Sequence, residues 1–206
     1  MWTVDQFAHD YIFQWEDGRQ TDPNRTHSLD PDDSGNWSLG WVGGGVLIGS
    51  NHGVTAAALA AFRQVPLVAI TRDVMHALKL DEAVLLAEHV YYRGNRLDAL
   101  PWDPVIASAM DFGWGAGPVM AAKLIQRMVK VADDGAIGRF TVMAYDEFRR
   151  SHGLETAART FADMRDTYYE SVIRARPVKA KYRNGWRRRT QYFEINSPWW
   201  AKFMGA

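Results

Sequence analysis

The chain contains no cysteine, so it has neither a disulfide framework nor a thiolate for catalysis or metal binding. It also lacks long hydrophobic runs, and no stretch approaches the roughly 18 to 20 apolar residues of a membrane-spanning helix. The Rossmann glycine fingerprint, the phosphate-binding loop and the zinc-protease motif are missing too. These absences argue against a disulfide-stapled, membrane-spanning or nucleotide-binding protein, and no metal or cofactor is expected.

An excess of charge of either sign is also missing, because 24 basic residues balance 24 acidic ones. A protein without net positive charge is a poor electrostatic binder of nucleic acid, and no nucleic-acid partner is expected. The charge is unevenly placed, however, since the segment Arg174–Arg189 carries eight basic residues and no acid. Such a run is either a solvated face or a surface that meets an anionic polymer or membrane lipid.

The first residues lack the features of a secretory signal peptide. The chain starts Met-Trp-Thr-Val-Asp-Gln, with no basic segment and no apolar core behind it. We therefore expect synthesis in the cytoplasm without a signal peptide. If the substrate lies outside the cytoplasm, a separate component must release the protein.

Aromatic residues are abundant, with nine Trp, eight Tyr and nine Phe. They either fill a ring-rich core or line a carbohydrate cleft, where rings stack on sugars. The clearest helix opens the chain, where apolar residues recur at helical spacing from Val4 to Trp15. Gly18 is a helix stop, because glycine tolerates the left-handed turn that follows a helix. Glu16 is thus predicted in the last turn of the first helix.

The remaining pattern predicts a mainly α (α+β) fold of about eight helices. Residues 19–53 are rich in Gly, Pro, Asp and Asn and predict a loop lobe with a short hairpin at 37–48. Asp103-Pro104 predicts a helix start, with that helix running to about Phe112 before a run of glycines. Pro198 is expected to interrupt the final segment.

Carboxyl groups are the chemistry that this sequence offers. A helix-terminal glutamate beside aromatic rings can hold its proton near neutral pH, as a glycosidase acid must. Glu16 fits that description, although a solvated glutamate has the same sequence position. Asp30, Asp32 and Asp33 follow on the lobe and form either a second catalytic group or a turn.

Several segments together resemble the glycoside hydrolase 108 family of phage endolysins and bacterial N-acetylmuramidases. The matching stretches, in order, are Glu16-Asp17-Gly18-Arg19, Asp30-Pro31-Asp32-Asp33-Ser34-Gly35-Asn36, Ser50-Asn51-His52-Gly53-Val54-Thr55, Tyr91-Tyr92 through Leu100-Pro101, and Asp111-Phe112-Gly113-Trp114-Gly115. Later segments resemble the helical, peptidoglycan-binding part of such proteins. This chain departs from the family pattern at Asp17 and Arg19, which replace Gly and Tyr, at Ser50, which replaces Thr, and by an insertion at 37–48.

The resemblance implies a lysozyme-like fold, with a catalytic part at 1–117 and a helical, peptidoglycan-binding-like part at 118–206 packed on it. It implies cleavage of the β-1,4 bond between N-acetylmuramic acid and N-acetylglucosamine. Glu16 would be the acid, and Asp33 or Asp30 the group that orients the loop and water. Candidate substrate-binding residues are Ser50, His52, Tyr91, Asp111 and Trp114.

Two alternatives stay open at this point. A lytic transglycosylase would use the same acid, and a non-catalytic module would only bind the cell wall. The expected partner is the peptidoglycan glycan strand. Anionic outer-membrane lipid is a second candidate partner, for the segment Arg174–Arg189. The expected oligomeric state is a monomer. The resemblance also implies an endolysin that acts in the periplasm or cell wall after holin-type release.

Overall fold

Helical periodicity and capping side chains account for most of the architecture. The computed structural model describes residues 2–18 and 22–205, and these form eleven α-helices, several of only one or two turns, and three short β-strands. The predicted mainly α fold with a small β element is confirmed. Residues 19–21, which begin the predicted lobe and include Arg19, lie outside the described residues.

The described chain divides into two units, Asp5–His89 (here the N-terminal unit) and Met1–Val4 with Val90–Ala206 (the C-terminal unit). The boundaries of these units differ from the division predicted from the sequence, which places a catalytic part at 1–117 and a helical part at 118–206. That division into a catalytic and a peptidoglycan-binding-like part stays a prediction. The division does not follow helix ends, because the first helix begins at Val4 and a π-helical segment, Glu88–Arg93, contains the second boundary.

The N-terminal unit holds five of the helices and the whole sheet. Its helices are α1 (Val4–Tyr11), α2 (Pro23–Thr26), α3 (Ala56–Arg63), α4 (Arg72–His76) and α5 (Leu80–Ala87). Its strands are β1 (His27–Ser28), β2 (Ser50–Asn51) and β3 (Val54–Thr55), paired antiparallel in that order. A π turn, Ile12–Glu16, continues α1, and 3₁₀ turns cover Ser34–Asn36 and Leu67–Ala69.

Threonine caps explain where two of these helices begin. The Thr55 hydroxyl accepts the Ala58 N–H at the start of α3, and the Thr71 hydroxyl accepts the Val74 N–H at the start of α4. The hairpin predicted at 37–48 is present as a single bridge between Trp37 and Leu47.

The C-terminal unit is built on one apolar core. Its helices are α6 (Pro104–Ala116), α7 (Pro118–Met128), α8 (Arg139–His152), α9 (Leu154–Ala175), α10 (Arg183–Gln191) and α11 (Pro198–Met204), with 3₁₀ turns at Leu97–Ala99 and Pro177–Tyr182. Fully buried side chains from α6, α7 and α9, among them Ile106, Ile125 and Phe161, form the centre of that core. The 22-residue helix α9 contacts α6, α7, α8 and α10.

Two sequence-based expectations about helix ends were wrong. Helix α6 starts as predicted, with the Asp103 carboxylate accepting the N–H groups of Val105 and Ile106, but it runs past Phe112 to Ala116. Gly113 is buried where α6 approaches α7, so close packing there outweighs the low helix propensity of glycine. Pro198 begins α11 rather than interrupting it, because the Ser197 hydroxyl caps this helix and proline suits its first position.

Candidate active site

Glu16 is the last residue of the π turn that ends the first helix. The Asp17 N–H donates to the Ile12 carbonyl, five residues back, at 3.0 Å. Gly18, with a φ of 56°, follows as the predicted stop. In a regular α-helix, residues five apart point about 140° away from each other. The wider π turn brings them nearer, and the Tyr11 hydroxyl donates to Glu16 Oε1 at 3.3 Å.

The β2–β3 hairpin lies against the side chain of Glu16. Its two turn residues, His52 and Gly53, both have positive φ, at 51° and 72°. A Cβ placed on Gly53 would stand 2.7 Å from Glu16 Oε2 and 2.9 Å from Glu16 Cδ. Glycine at this position therefore makes room for the glutamate carboxyl.

A buried pair joins the end of the first helix to the same hairpin. His52 Nδ1 lies 2.8 Å from Asp17 Oδ2, and the side chains of Asp17 and His52 are 0% and 10% exposed. His52 Nε2 lies 3.2 Å from the carbonyl oxygen of Leu78, which can only accept a hydrogen bond. Both ring nitrogens thus face acceptors inside the protein. The hairpin is also anchored by Asn51, whose amide donates to the Met75 carbonyl at 2.8 Å.

Asp30 and Asp33 lie on the exposed loop before the hairpin, and each carboxylate accepts a local backbone N–H. Asp30 Oδ1 accepts from Asp32 and Asp33 Oδ1 accepts from Gly35, both at 2.9 Å. A Cβ on Gly35 would lie 3.0 Å from Thr55 Cγ2, so this loop packs on strand β3. Both aspartates therefore form turns, and their catalytic role stays a prediction.

The remaining candidates belong to different units of the chain. Ser50 is half-buried on β2, paired with Ser28 and Thr55, in the N-terminal unit. Tyr91 and Trp114, in the C-terminal unit, are half-buried and in contact, with ring centroids 4.7 Å apart. The roles of these three residues in substrate binding stay predictions.

Asp111 requires a correction. Its carboxylate is fully buried and forms salt bridges with Arg165 on α9 and with Arg189 on α10, the latter at 3.0 Å. Burial raises the pKa of the Asp111 carboxyl, and the Arg165 charge acts in the opposite direction. A carboxylate with no exposed surface and two arginine partners has no face for a sugar, so Asp111 holds helices together instead.

Sequence reasoning missed two residues beside Glu16. Tyr11 was identified only as part of the apolar face of the first helix, and Asp17 only as a departure from the family pattern. A five-residue spacing before a helix-terminal glutamate would have identified Tyr11 only if the π turn had been known. Nothing local links Asp17 to His52, which is 35 residues away.

Among the described residues, no group of three or more His, Asp or Glu side chains is arranged to hold a metal ion. The Glu16 carboxyl accepts a hydrogen bond from the Tyr11 hydroxyl and occupies the space that a Cβ on Gly53 would need.

Comparison with known proteins assigns this arrangement to a class. One family model, described as "Glycosyl hydrolase 108", matches residues 9–117, and another, described as "Predicted Peptidoglycan domain", matches residues 120–191. The class is thus a glycoside hydrolase that acts on peptidoglycan. Since the first model covers more than half of the chain, the protein belongs to the glycosyl hydrolase 108 family.

A solved structure supports the fold. The structure of SagA from Brucella abortus is similar to this chain with a TM-score of 0.68 and 22% sequence identity, covering 92% of this chain and 91% of SagA. At this identity the likeness establishes the fold alone. The comparison with curated proteins gave no significant match.

Proposed function

We propose that the protein is an N-acetylmuramidase that cleaves the β-1,4 bond between N-acetylmuramic acid and N-acetylglucosamine. The observation that carries the proposal is the placement of Glu16 within the region that matches the glycosyl hydrolase model. Its carboxyl ends the first helix, accepts a hydrogen bond from Tyr11 and abuts the Gly53 turn. A carboxyl held by a helix end and a tight turn is fixed well enough to act as a proton donor.

In the proposed reaction, Glu16 gives its proton to the glycosidic oxygen as the bond to the anomeric carbon breaks. Water adds to that carbon and loses its own proton to a carboxylate. Asp33, or in its place Asp30, orients the loop and the water. Both retaining and inverting courses satisfy this balance of atoms.

The principal test replaces Glu16 by Gln, which keeps the shape and removes the acid. Clearing of a suspension of purified peptidoglycan is expected to slow by about 100-fold or more, the usual effect of losing a general acid. Glu82→Gln is the matched control, because Glu82 pairs with Arg63 at the surface of the same unit. Near-full lysis by a folded Glu16→Gln protein would remove Glu16 from the mechanism.

Mass spectrometry of the released fragments separates the two enzymatic alternatives. Hydrolysis gives reducing ends, whereas a lytic transglycosylase lets the sugar's own 6-hydroxyl attack and gives anhydro ends lighter by one water. Binding to peptidoglycan without any released fragment would instead identify a non-catalytic wall-binding module.

We also propose a second partner, anionic outer-membrane lipid, for the segment Arg174–Arg189. Arg183 pairs with Glu170 and Arg189 with Asp111, which fixes two of the eight cations to the fold. Five others are exposed: Arg174, Arg176, Lys181, Arg187 and Arg188. Val178 is 72% exposed and Tyr182 is 43% exposed in the same segment, so apolar and basic groups share this surface.

The biological setting that we propose follows from the family resemblance. The protein would be a phage endolysin, made in the host cytoplasm and acting as a monomer on the periplasmic wall after holin-type release. Expression with and without a pore-forming holin, with lysis followed by culture turbidity, tests this setting.

A further inference from the structure

We propose that Asp17 and His52 are positioning residues, a buried pair that holds Glu16 in its working place. The inference rests on the proposed function of Glu16 as the acid. It concerns Asp17, one of the positions where this chain departs from the family pattern.

The pair connects the two segments that contact Glu16. Asp17 directly follows Glu16 and closes the π turn through its N–H bond to Ile12. His52 directly precedes Gly53, whose backbone abuts the glutamate carboxyl. The contact between Asp17 and His52 therefore fixes the distance between the helix end that carries the acid and the hairpin turn beside it.

Both ring nitrogens of His52 have partners inside the protein. Nδ1 lies 2.8 Å from Asp17 Oδ2, and Nε2 lies 3.2 Å from the Leu78 carbonyl oxygen. The ring is therefore held on one side by the end of the first helix and on the other by the connection between α4 and α5. The pair thus acts on the position of neighbouring groups.

The backbone of His52 indicates that this contact matters for the fold of the turn. A residue with a side chain at a φ of 51° is strained, and the surrounding contacts must hold it there. The contacts of the ring with the Asp17 carboxylate and the Leu78 carbonyl keep His52 in this conformation. Loss of the ring contact would let the turn, and Gly53 with it, move relative to Glu16.

The experiment is a double-mutant cycle in the full chain with Asp17→Ala, His52→Gly and the double variant. His52→Gly removes the ring and leaves a residue that adopts positive φ without strain. On a defined soluble peptidoglycan oligosaccharide, each single variant is expected to lower kcat by about tenfold or more while KM stays within about twofold. The double variant is expected to be no slower than the worse single variant, because both break one contact.

Three further proteins separate positioning from a general loss of stability. Asp17→Asn keeps an acceptor for Nδ1 and should retain more activity than Asp17→Ala. Asp73→Asn, an exposed acid on α4 of the same unit, should leave kcat unchanged. Leu59→Ala removes a fully buried side chain of α3 that belongs to neither member of the pair, and it should lower Tm without lowering kcat at temperatures where the protein is folded.

A spectroscopic readout keeps this inference distinct from the proposed function. The ¹³Cδ resonance of Glu16 should shift in Asp17→Ala and His52→Gly and stay unchanged in Asp73→Asn, whether or not the protein cleaves peptidoglycan. An inactive wild-type protein would overturn the muramidase proposal. Folded Asp17→Ala protein with wild-type kcat, or with an unshifted Glu16 resonance, would overturn the positioning role.

Discussion

At the scale of single residues, the fit between Glu16 and Gly53 is the tightest feature of the candidate active site. A Cβ on Gly53 would lie within 2.9 Å of three atoms of the glutamate side chain, closer than carbon and oxygen atoms normally approach. Positive φ adds a separate cost for any residue with a side chain. The clash with Glu16 and the strain of a positive φ can be measured separately, because other glycines of the N-terminal unit have a positive φ but no side chain close to the place of a Cβ.

Gly53→Ala is therefore expected to lower lysis of peptidoglycan strongly, because the new methyl group displaces the Glu16 carboxyl. Gly43→Ala is the matched control, since Gly43 has a φ of 79° and a Cβ added there would meet no atom within 4 Å. Both substitutions should cost about 1–2 kcal/mol of backbone strain. Turbidity and thermal unfolding measured together check this, and equal activity in the two variants would contradict it.

At the scale of secondary-structure elements, an ionic cluster connects three helices of the C-terminal unit. Asp111 on α6 holds Arg165 of α9 and Arg189 of α10, and Arg165 also donates to the Ser108 hydroxyl at 2.7 Å. Burial lowers the pKa of the Arg189 guanidinium to about 10, which leaves it charged at neutral pH. One carboxylate thus pairs with a fully buried arginine, Arg165, and with a partly exposed one, Arg189.

Asp111→Asn is expected to destabilise the protein by about 3–5 kcal/mol, because it removes the carboxylate that pairs with the fully buried Arg165 guanidinium. Urea unfolding at neutral pH, followed by circular dichroism, measures the change. Asp133→Asn is the control, because its salt bridge with Arg127 is nearly half exposed and should change stability little. A folded Asp111→Asn protein with wild-type stability would show that the cluster is dispensable.

At the scale of the whole molecule, the distribution of charge matters more than its sum. The net charge is zero, yet eight basic residues fall between positions 174 and 189. Lys179 and Lys181 both place their ammonium groups over the Tyr182 ring, at 5.2 and 5.0 Å from its centroid. This keeps positive charge next to an exposed apolar side chain, the combination that suits an anionic membrane surface.

Reversing the charge of Lys179 and Lys181 with Glu is expected to weaken binding to phosphatidylglycerol vesicles by about tenfold or more. Wild-type binding should also fall as salt is raised, because screening shortens the range of the attraction. The control is Lys123→Glu with Lys130→Glu, two cations outside the segment, and vesicle sedimentation measures all three proteins. Equal binding by the two double variants would contradict a role for this surface.

Local interactions explain what the sequence alone determined about this protein. The first helix, its stop at Gly18, the caps at Thr55 and Asp103 and the position of Glu16 at a helix end depend on neighbours a few residues apart. The glycosyl hydrolase family was likewise readable from short motifs in a fixed order. These features need no knowledge of how the chain folds back on itself.

Tertiary structure decided the rest, because the deciding contacts join residues that are distant in the chain. Asp17 meets His52 across 35 positions and Asp111 meets Arg189 across 78. Helix α6 extends past Phe112 to Ala116, where Ala121 of the neighbouring helix packs against Gly113. Burial and ion pairing depend on which side chains from distant parts of the sequence come into contact, and a local sequence pattern does not determine those contacts.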